Sequence, residues 1–115
     1  MLLFLCSCSR ENKVSIEDFS WNLETAFNEN GEALEFNEVI LKAKNGELCI
    51  KTSEESYEGK YYNAKKDPRA IIYEIEIGNE KGLASVSFTY YEKEENKPTL
   101  VINIGGYAMY FSKAS

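Results

Sequence analysis

Histidine is absent from the 115-residue chain. This absence excludes serine–histidine and cysteine–histidine catalysis, histidine metal ligands and a histidine-based pH switch. No other constellation of residues predicts a catalytic centre. The chain is therefore expected to be a non-enzymatic protein without a cofactor.

Basic residues are also scarce, since 13 lysines and arginines face 19 acidic residues and give a net charge of −6. Nucleic-acid binding needs concentrated positive charge, and so does electrostatic adhesion to an anionic membrane. The sequence predicts neither. The length allows one domain, and an apolar fraction of 43% is typical of a globular fold.

The N-terminus has a short apolar run at residues 2–5, and no basic residue precedes it. A complete signal peptide has a basic start and an apolar stretch of roughly 7–15 residues. Leu5-Cys6-Ser7-Cys8 nevertheless resembles the bacterial lipobox. The resemblance implies a truncated signal peptide at residues 1–7, lipidation of Cys8, a tether at residues 8–14 and a domain at residues 15–115. The protein would then be lipid-anchored in a bacterial cell envelope; the alternative is an apolar terminus of a cytoplasmic protein.

There are only three cysteines. If Cys6 is removed and Cys8 is acylated, Cys49 is a lone thiol; the alternative is a disulfide from Cys49 to Cys6 or Cys8. The three lack the fourth ligand of a structural zinc site. Acid-rich stretches at residues 29–32, 54–55 and 92–95 lack the ligand spacing of an EF-hand loop. No metal site is predicted.

The strongest local pattern is a hairpin around Asn45-Gly46. Asn-Gly tolerates the positive φ angles of a two-residue type I′ turn. The resulting register pairs Lys44 with Glu47 and puts one set of apolar residues on the core face: Val39, Leu41, Ala43, Leu48 and Ile50.

Alternating residues predict further strands in the C-terminal third. The first runs over residues 71–77, with Ile71, Tyr73, Ile75 and Ile77 inward. A loop follows at residues 78–82, then a strand at residues 83–92 and a charged turn at residues 92–98. The last two strands, residues 100–104 and 107–111, flank the turn signal Gly105-Gly106.

The N-terminal part of the domain is ambiguous. Residues 15–27 fit a strand with Phe19, Trp21, Leu23, Thr25 and Phe27 on one face, but Ser15-x-x-Asp18 also fits a helix cap. We favour the strand. After a turn at residues 28–31, residues 34–36 are expected to begin the strand that leads into Val39. The fold class is therefore all-β, a small antiparallel sandwich or barrel of about seven to eight strands built from hairpins.

Residues 59–69 combine basic and tyrosine side chains in an otherwise acidic chain. Asp67-Pro68 marks a turn, so a loop is predicted before the Ile71 strand. Tyrosine and arginine are enriched at binding hot spots. The candidate partner-binding residues are Lys60, Tyr61, Tyr62, Lys65, Lys66 and Arg69; the competing interpretation is a charged loop with one tyrosine in the core.

Glu74 and Glu76 lie on one strand face roughly 7 Å apart, a spacing that paired-carboxylate glycosidases use. A solvated strand face is the simpler explanation. Gly59-Lys60-Tyr61, the hairpin strands that follow and the final strands around Leu100 and Phe111 resemble small lipocalin-like domains of bacterial lipoproteins. That resemblance implies a barrel carrying a small apolar ligand, which requires an interior cavity of several hundred Å³.

Three hypotheses follow. The leading one is a binding domain for a protein partner, of inhibitor or immunity type, whose only membrane attachment is the lipid anchor. The alternative is a lipocalin-like carrier of a small apolar ligand. A second alternative is a hydrolase that uses Glu74 with another carboxylate.

Overall fold

The computed structural model describes residues 14–91 and 94–114, with side chains outside residues 88–96. A 3-10 turn, Ile16–Asp18, precedes eight strands. The strands are β1 (Trp21–Phe27), β2 (Ile40–Lys44), β3 (Glu47–Lys51), β4 (Ser56–Asp67), β5 (Ala70–Ile77), β6 (Glu80–Tyr91), β7 (Glu94–Ile104) and β8 (Tyr107–Lys113). Each pairs antiparallel with its neighbour in sequence, and β8 pairs with β1 to close a barrel. The predicted all-β fold built from hairpins is confirmed, and its closed form is the barrel.

The hairpin of β2 and β3 forms as the sequence predicts. Asn45 and Gly46 adopt φ angles of 51° and 82°, and Lys44 lies opposite Glu47. Leu41, Ala43 and Leu48 are buried. The local chemistry of Asn-Gly thus sets the register of two strands.

Strand boundaries in the C-terminal half differ from the prediction in two places. The loop predicted at residues 78–82 is only the turn Gly78-Asn79, because β6 already begins at Glu80. The charged turn predicted at residues 92–98 is also too long, since β7 begins at Glu94. Residues 92 and 93 lie outside the described part of the chain. Charged residues in both places continue the strands, because the β5–β6 ladder extends to the pair Ile77 and Glu80 and the β6–β7 ladder to the pair Tyr91 and Glu94.

Residues 15–27 form both of the expected structures in succession, first a capped helical turn and then a strand. Ser15 and Asp18 form a capping box on the 3-10 turn, and β1 begins at Trp21. The register with β8 shifts between Leu23 and Thr25. This bulge adds a residue, so Ala26 is buried and Thr25 is exposed. The prediction that Thr25 and Phe27 share a face with Trp21 and Leu23 is therefore wrong, and Phe27 packs against the outward Tyr110.

The strand expected from residues 34–36 does not form. The turn at residues 28–31 is present, closed by a hydrogen bond from Gly31 N to Asn28 O, but β2 begins only at Ile40. In between, the chain fills the seam between β1 and β2, with Leu34 N donating to Ala26 O at 2.8 Å. Leu34 and Phe36 are exposed there.

Two glycines lie where the backbone of a neighbouring strand approaches too closely for a side chain. A Cβ on Gly82 would lie 2.2 Å from Asn103 O, and one on Gly59 would lie 2.6 Å from Glu76 O. Both distances are shorter than any real contact of a Cβ atom with backbone. Close backbone approach at a bend is a common reason for glycine within a strand.

Apolar side chains fill the interior of the barrel. The largest that are almost fully buried are Trp21, Phe111, Ile16, Leu41, Leu48, Ile75, Leu100, Ile102 and Val86. Residues 16–18 close one end, which we call the capped end. Trp21 Nε1 donates to Ile16 O at 2.9 Å, and Ile16 N donates to Tyr73 Oη at 3.2 Å.

The opposite end, which holds the turns at residues 78–79 and 105–106, is called the open end. Interior-facing residues near it are only partly buried: Val39, Ile50, Ile77, Ile104 and Met109.

Candidate functional site

The predicted binding segment is a strand rather than a loop. Residues 60–67 belong to β4, and only Pro68 and Arg69 form the turn to β5. The sequence predicted a loop because Asp67-Pro68 marks a turn and charged residues are frequent in residues 59–69. However, β4 and β5 continue as a paired hairpin past a register shift between Tyr62 and Lys65, where Asn63 has a φ of 51°.

The six candidate residues do not share one surface. Lys65, Lys66 and Arg69 are exposed near the tip of this hairpin, and Lys60 is exposed lower on β4. Tyr62 is partly buried, whereas Tyr61 is a core residue with 9% exposure. The competing interpretation, one tyrosine in the core, therefore describes Tyr61.

Tyr61 takes part in closing the capped end. Its hydroxyl donates a hydrogen bond to Glu17 Oε2, which also accepts from Asn45 N at 3.1 Å. Its ring packs edge-on against Tyr73 with centroids 5.6 Å apart. Burial and the Glu17 hydrogen bond raise the pKa of Tyr61 to about 12, and burial also raises the pKa of Tyr73. Tyr61 is therefore unavailable to a partner on the outer surface.

The carboxylates Glu74 and Glu76 lie on the outside of β5. Glu74 Oε2 accepts a hydrogen bond from Asn63 Nδ2 at 2.7 Å, and Glu76 lies opposite Lys60. Neither faces the barrel interior. Their neighbours are Asn63 and Lys60 on the adjacent strand, an arrangement typical of a solvated strand face.

The outer wall over β5 to β8 carries seven uncharged residues in two adjacent rows, and we call these seven residues the neutral wall. The row of Ile72 is uncharged from β5 to β8, whereas the row of Leu83 is uncharged from β6 to β8 and has Glu74 at its β5 position. In one row Ile72 lies beside Ser85, Val101 and Tyr110; in the other Leu83 lies beside Asn103 and Ala108. Leu83 is 51% exposed, Tyr110 40% and Ile72 38%. The alternation of inward and outward residues in the sequence could have revealed these exposed residues, since Ile72 and Leu83 are apolar at outward positions.

The β4 candidates border this wall. Lys65 lies opposite Ile72, and Tyr62 lies opposite Glu74, which is the neighbour of Leu83. On the far side, the ring of Phe27 packs edge-on against Tyr110 at a centroid distance of 6.1 Å. The neutral wall thus carries the exposed side chains of Ile72, Leu83 and Tyr110, and the charged residues Lys65 and Glu74 lie along its β4–β5 edge.

The outer wall over β2 to β5 has the opposite character. Its cross-strand row alternates in charge: Lys44, Glu47, Lys60, Glu76 and, on β6, Lys81. A groove of about 440 Å³ lies in this wall. Its charged lining residues are Lys42, Lys44, Lys60, Glu47, Glu58 and Glu76, and Cys49 also lines it.

Cys49 is a partly buried free thiol whose Sγ lies 3.8 Å from Ser56 Oγ. Cys6 and Cys8 lie outside the described residues, so both the disulfide to Cys49 and the lipidation of Cys8 stay predictions. Within residues 14–91 and 94–114, no group of three or more potential ligands is placed to hold a metal ion. In that same part of the chain, no helix has the length and apolar character needed to cross a membrane.

Comparison with known proteins identifies no relative of this chain: no protein-family model, no curated protein and no solved structure matches it.

Proposed function

We propose that this protein is a non-enzymatic binding domain that holds a protein partner against its neutral wall, at the surface of a bacterial envelope to which Cys8 anchors it. The observation that carries the proposal is the exposure of Ile72, Leu83 and Tyr110 on one uncharged face of an otherwise charged barrel.

The size of this face fits a recognition surface. Its seven positions, at ~4.8 Å between strands and ~7 Å between rows, cover roughly 240 Å². Contiguous apolar patches of a few hundred Å² on soluble proteins are often functional. Interfaces combine such an apolar centre with a polar rim, a role that Lys65 and Glu74 fit here.

The roles of the β4 residues change accordingly. Lys65 and Tyr62 border the neutral wall, so they contribute to the rim of the proposed interface. Arg69 at the hairpin tip adds positive charge to that of Lys65, which favours a partner with acidic residues beside its apolar contact. Lys66 lies opposite the buried Ile71, on the other face of the hairpin, and is not part of this rim. Tyr61 contributes only to the barrel's stability.

The test is capture of the partner from native envelope extracts by the domain with and without Leu83→Glu. We expect Leu83→Glu to reduce capture at least about tenfold, since truncating a central interface residue commonly costs 1–2 kcal/mol or more. Tyr57→Glu is the matched control because Tyr57 is 46% exposed outside the neutral wall. Equal capture by the wild type and Leu83→Glu would refute the proposal.

The partly buried apolar residues at the open end favour a second candidate, a protein that holds a small apolar ligand at the mouth of the barrel, above the interior that side chains fill. Eight-stranded up-and-down barrels are the architecture of lipocalins, although architecture alone does not assign function. Ile104 and Met109 would contact a ligand entering this end. A solvatochromic apolar dye should brighten with the wild type and not with Met109→Lys if this candidate is correct; identical fluorescence of the two would eliminate it.

A further inference from the structure

The groove in the charged wall is independent of the proposed interface, because it lies over β2 to β5 rather than β5 to β8. Its floor is β3, with Glu47, Leu48 and Cys49. One side is formed by Lys42 and Lys44 of β2, and the other by Glu58 and Lys60 of β4 and Glu76 of β5. The volume of about 440 Å³ is within the range of small-molecule sites.

The charges that line the groove are not engaged with one another. Opposite charges lie on neighbouring strands in register, yet none of the six charged side chains makes a hydrogen bond or ion pair within the part of the chain that the structure describes. Three lysines and three glutamates therefore line the groove with charges that a ligand can engage.

The balance of these charges determines which ligand fits. Lys42, Lys44 and Lys60 carry three positive charges, and Glu47, Glu58 and Glu76 carry three negative ones. A ligand with a single charge meets attraction and repulsion of similar size. A ligand with both charges aligns its cation with the glutamates and its anion with the lysines, at separations close to the ~4.8 Å between strands.

We propose that this groove binds a small zwitterion that carries an ammonium and a carboxylate, such as a short peptide with free ends. Lys60 is the central contact because it lies between Glu47 and Glu76 in the row, and it receives the carboxylate of the ligand. Glu76, on the same side of the groove, receives the ammonium group.

Three dipeptide probes test the class of ligand by NMR titration of the full chain: glycylglycine, its N-acetylated form and its C-terminal amide. We expect glycylglycine to shift the amide resonances of residues 42–49 and 58–60. Each probe with a single charge should bind about threefold to fivefold more weakly, the ratio that one exposed charge pair is worth. Equal affinities for all three probes, or no shifts in these residues, would overturn the proposal.

Variants test the assigned roles. Lys60→Gln leaves the groove with a net negative charge, so it should lose preference for glycylglycine and bind the amide best. Glu76→Gln should reverse this and favour the acetylated probe. Lys51→Gln is the matched control, since Lys51 is an exposed outer lysine of β3 that does not line the groove. A loss of affinity in Lys51→Gln equal to that in Lys60→Gln would contradict the site.

Cys49 supplies a second readout. Because its thiol lines the groove, a bound dipeptide should slow its alkylation by iodoacetamide, followed by mass analysis of the peptide containing Cys49. Protection by glycylglycine that disappears in Lys60→Gln supports the proposal. An alkylation rate unchanged at saturating dipeptide would refute it.

Discussion

At the scale of single residues, Glu17 joins three parts of the chain. Its carboxylate accepts from the backbone of Asn45 and from the hydroxyl of Tyr61, so one side chain connects the 3-10 turn to the β2–β3 hairpin and to β4. Its position in sequence, within a short polar segment, gives no sign of this role. The role depends on residues that are 28 and 44 positions away.

Tyr61 makes the stability of the barrel sensitive to alkaline pH. Its folded pKa of about 12 lies above the ordinary value of 10.0, so folding favours the protonated phenol. This contribution is fully present below pH 10 and is lost as the pH rises through 12. We expect the free energy of unfolding in urea to fall between pH 10 and 12 more steeply for the wild type than for Tyr61→Phe.

At neutral pH, Tyr61→Phe should lower the free energy of unfolding by about 1.5–3 kcal/mol, because a hydrogen bond to a charged group is lost. Tyr107→Phe is the control, since Tyr107 is 48% exposed. A wild type and Tyr61→Phe with parallel pH profiles would show that the Tyr61 hydroxyl is not coupled to folding.

At the scale of elements, the 3-10 turn closes the barrel through one buried side chain. Ile16 is 0% exposed, and both of its backbone polar groups bond to core aromatics. Ile16→Ala should therefore lower the free energy of unfolding by roughly 2–4 kcal/mol, the usual cost of such a truncation in a core. Urea denaturation measures this loss.

Leu34→Ala provides the comparison for that variant. Leu34 is 37% exposed in the seam between β1 and β2, so its truncation should cost less than about 1 kcal/mol. If Ile16→Ala were no more destabilising than Leu34→Ala, the 3-10 turn would be a loosely attached segment rather than part of the core.

The position of residues 62–67 within the β4–β5 hairpin explains why their sequence resembles that of a loop. Tyr61 N donates to Gly46 O at the end of the shorter β2–β3 hairpin, so residues 62–67 continue past that turn. These residues of β4 have no pairing with β3, and Lys65 and Lys66 are accordingly exposed on successive positions, whereas Ile71 on the paired strand β5 stays buried. A sequence pattern without an apolar face is compatible with a strand in this position.

At the scale of the whole molecule, the sequence predicted what is encoded locally. Asn45-Gly46 sets a hairpin by its own turn chemistry, and alternation over residues 71–77 sets the core face of β5. The bulge before Ala26 and the irregular seam at Leu34 were not predictable, because each depends on strands that are distant in sequence. The groove and the neutral wall were missed for the same reason: they exist only in the register of four or more strands.

Closure of the barrel has a consequence for how the chain can be connected. Ala114 N donates to Ser20 O at 2.8 Å, so the beginning and end of the strand sequence are adjacent at the capped end. The eight strands form a ring in which every strand has two neighbours, and no strand is first or last in space. A circularly permuted chain, with residue 114 joined to residue 14 by a flexible linker so that the 3-10 turn is kept and with new ends at Gly78-Asn79, would preserve every strand pairing. The fold is thus specified by the cyclic order of its hairpins, independently of where that cycle is cut.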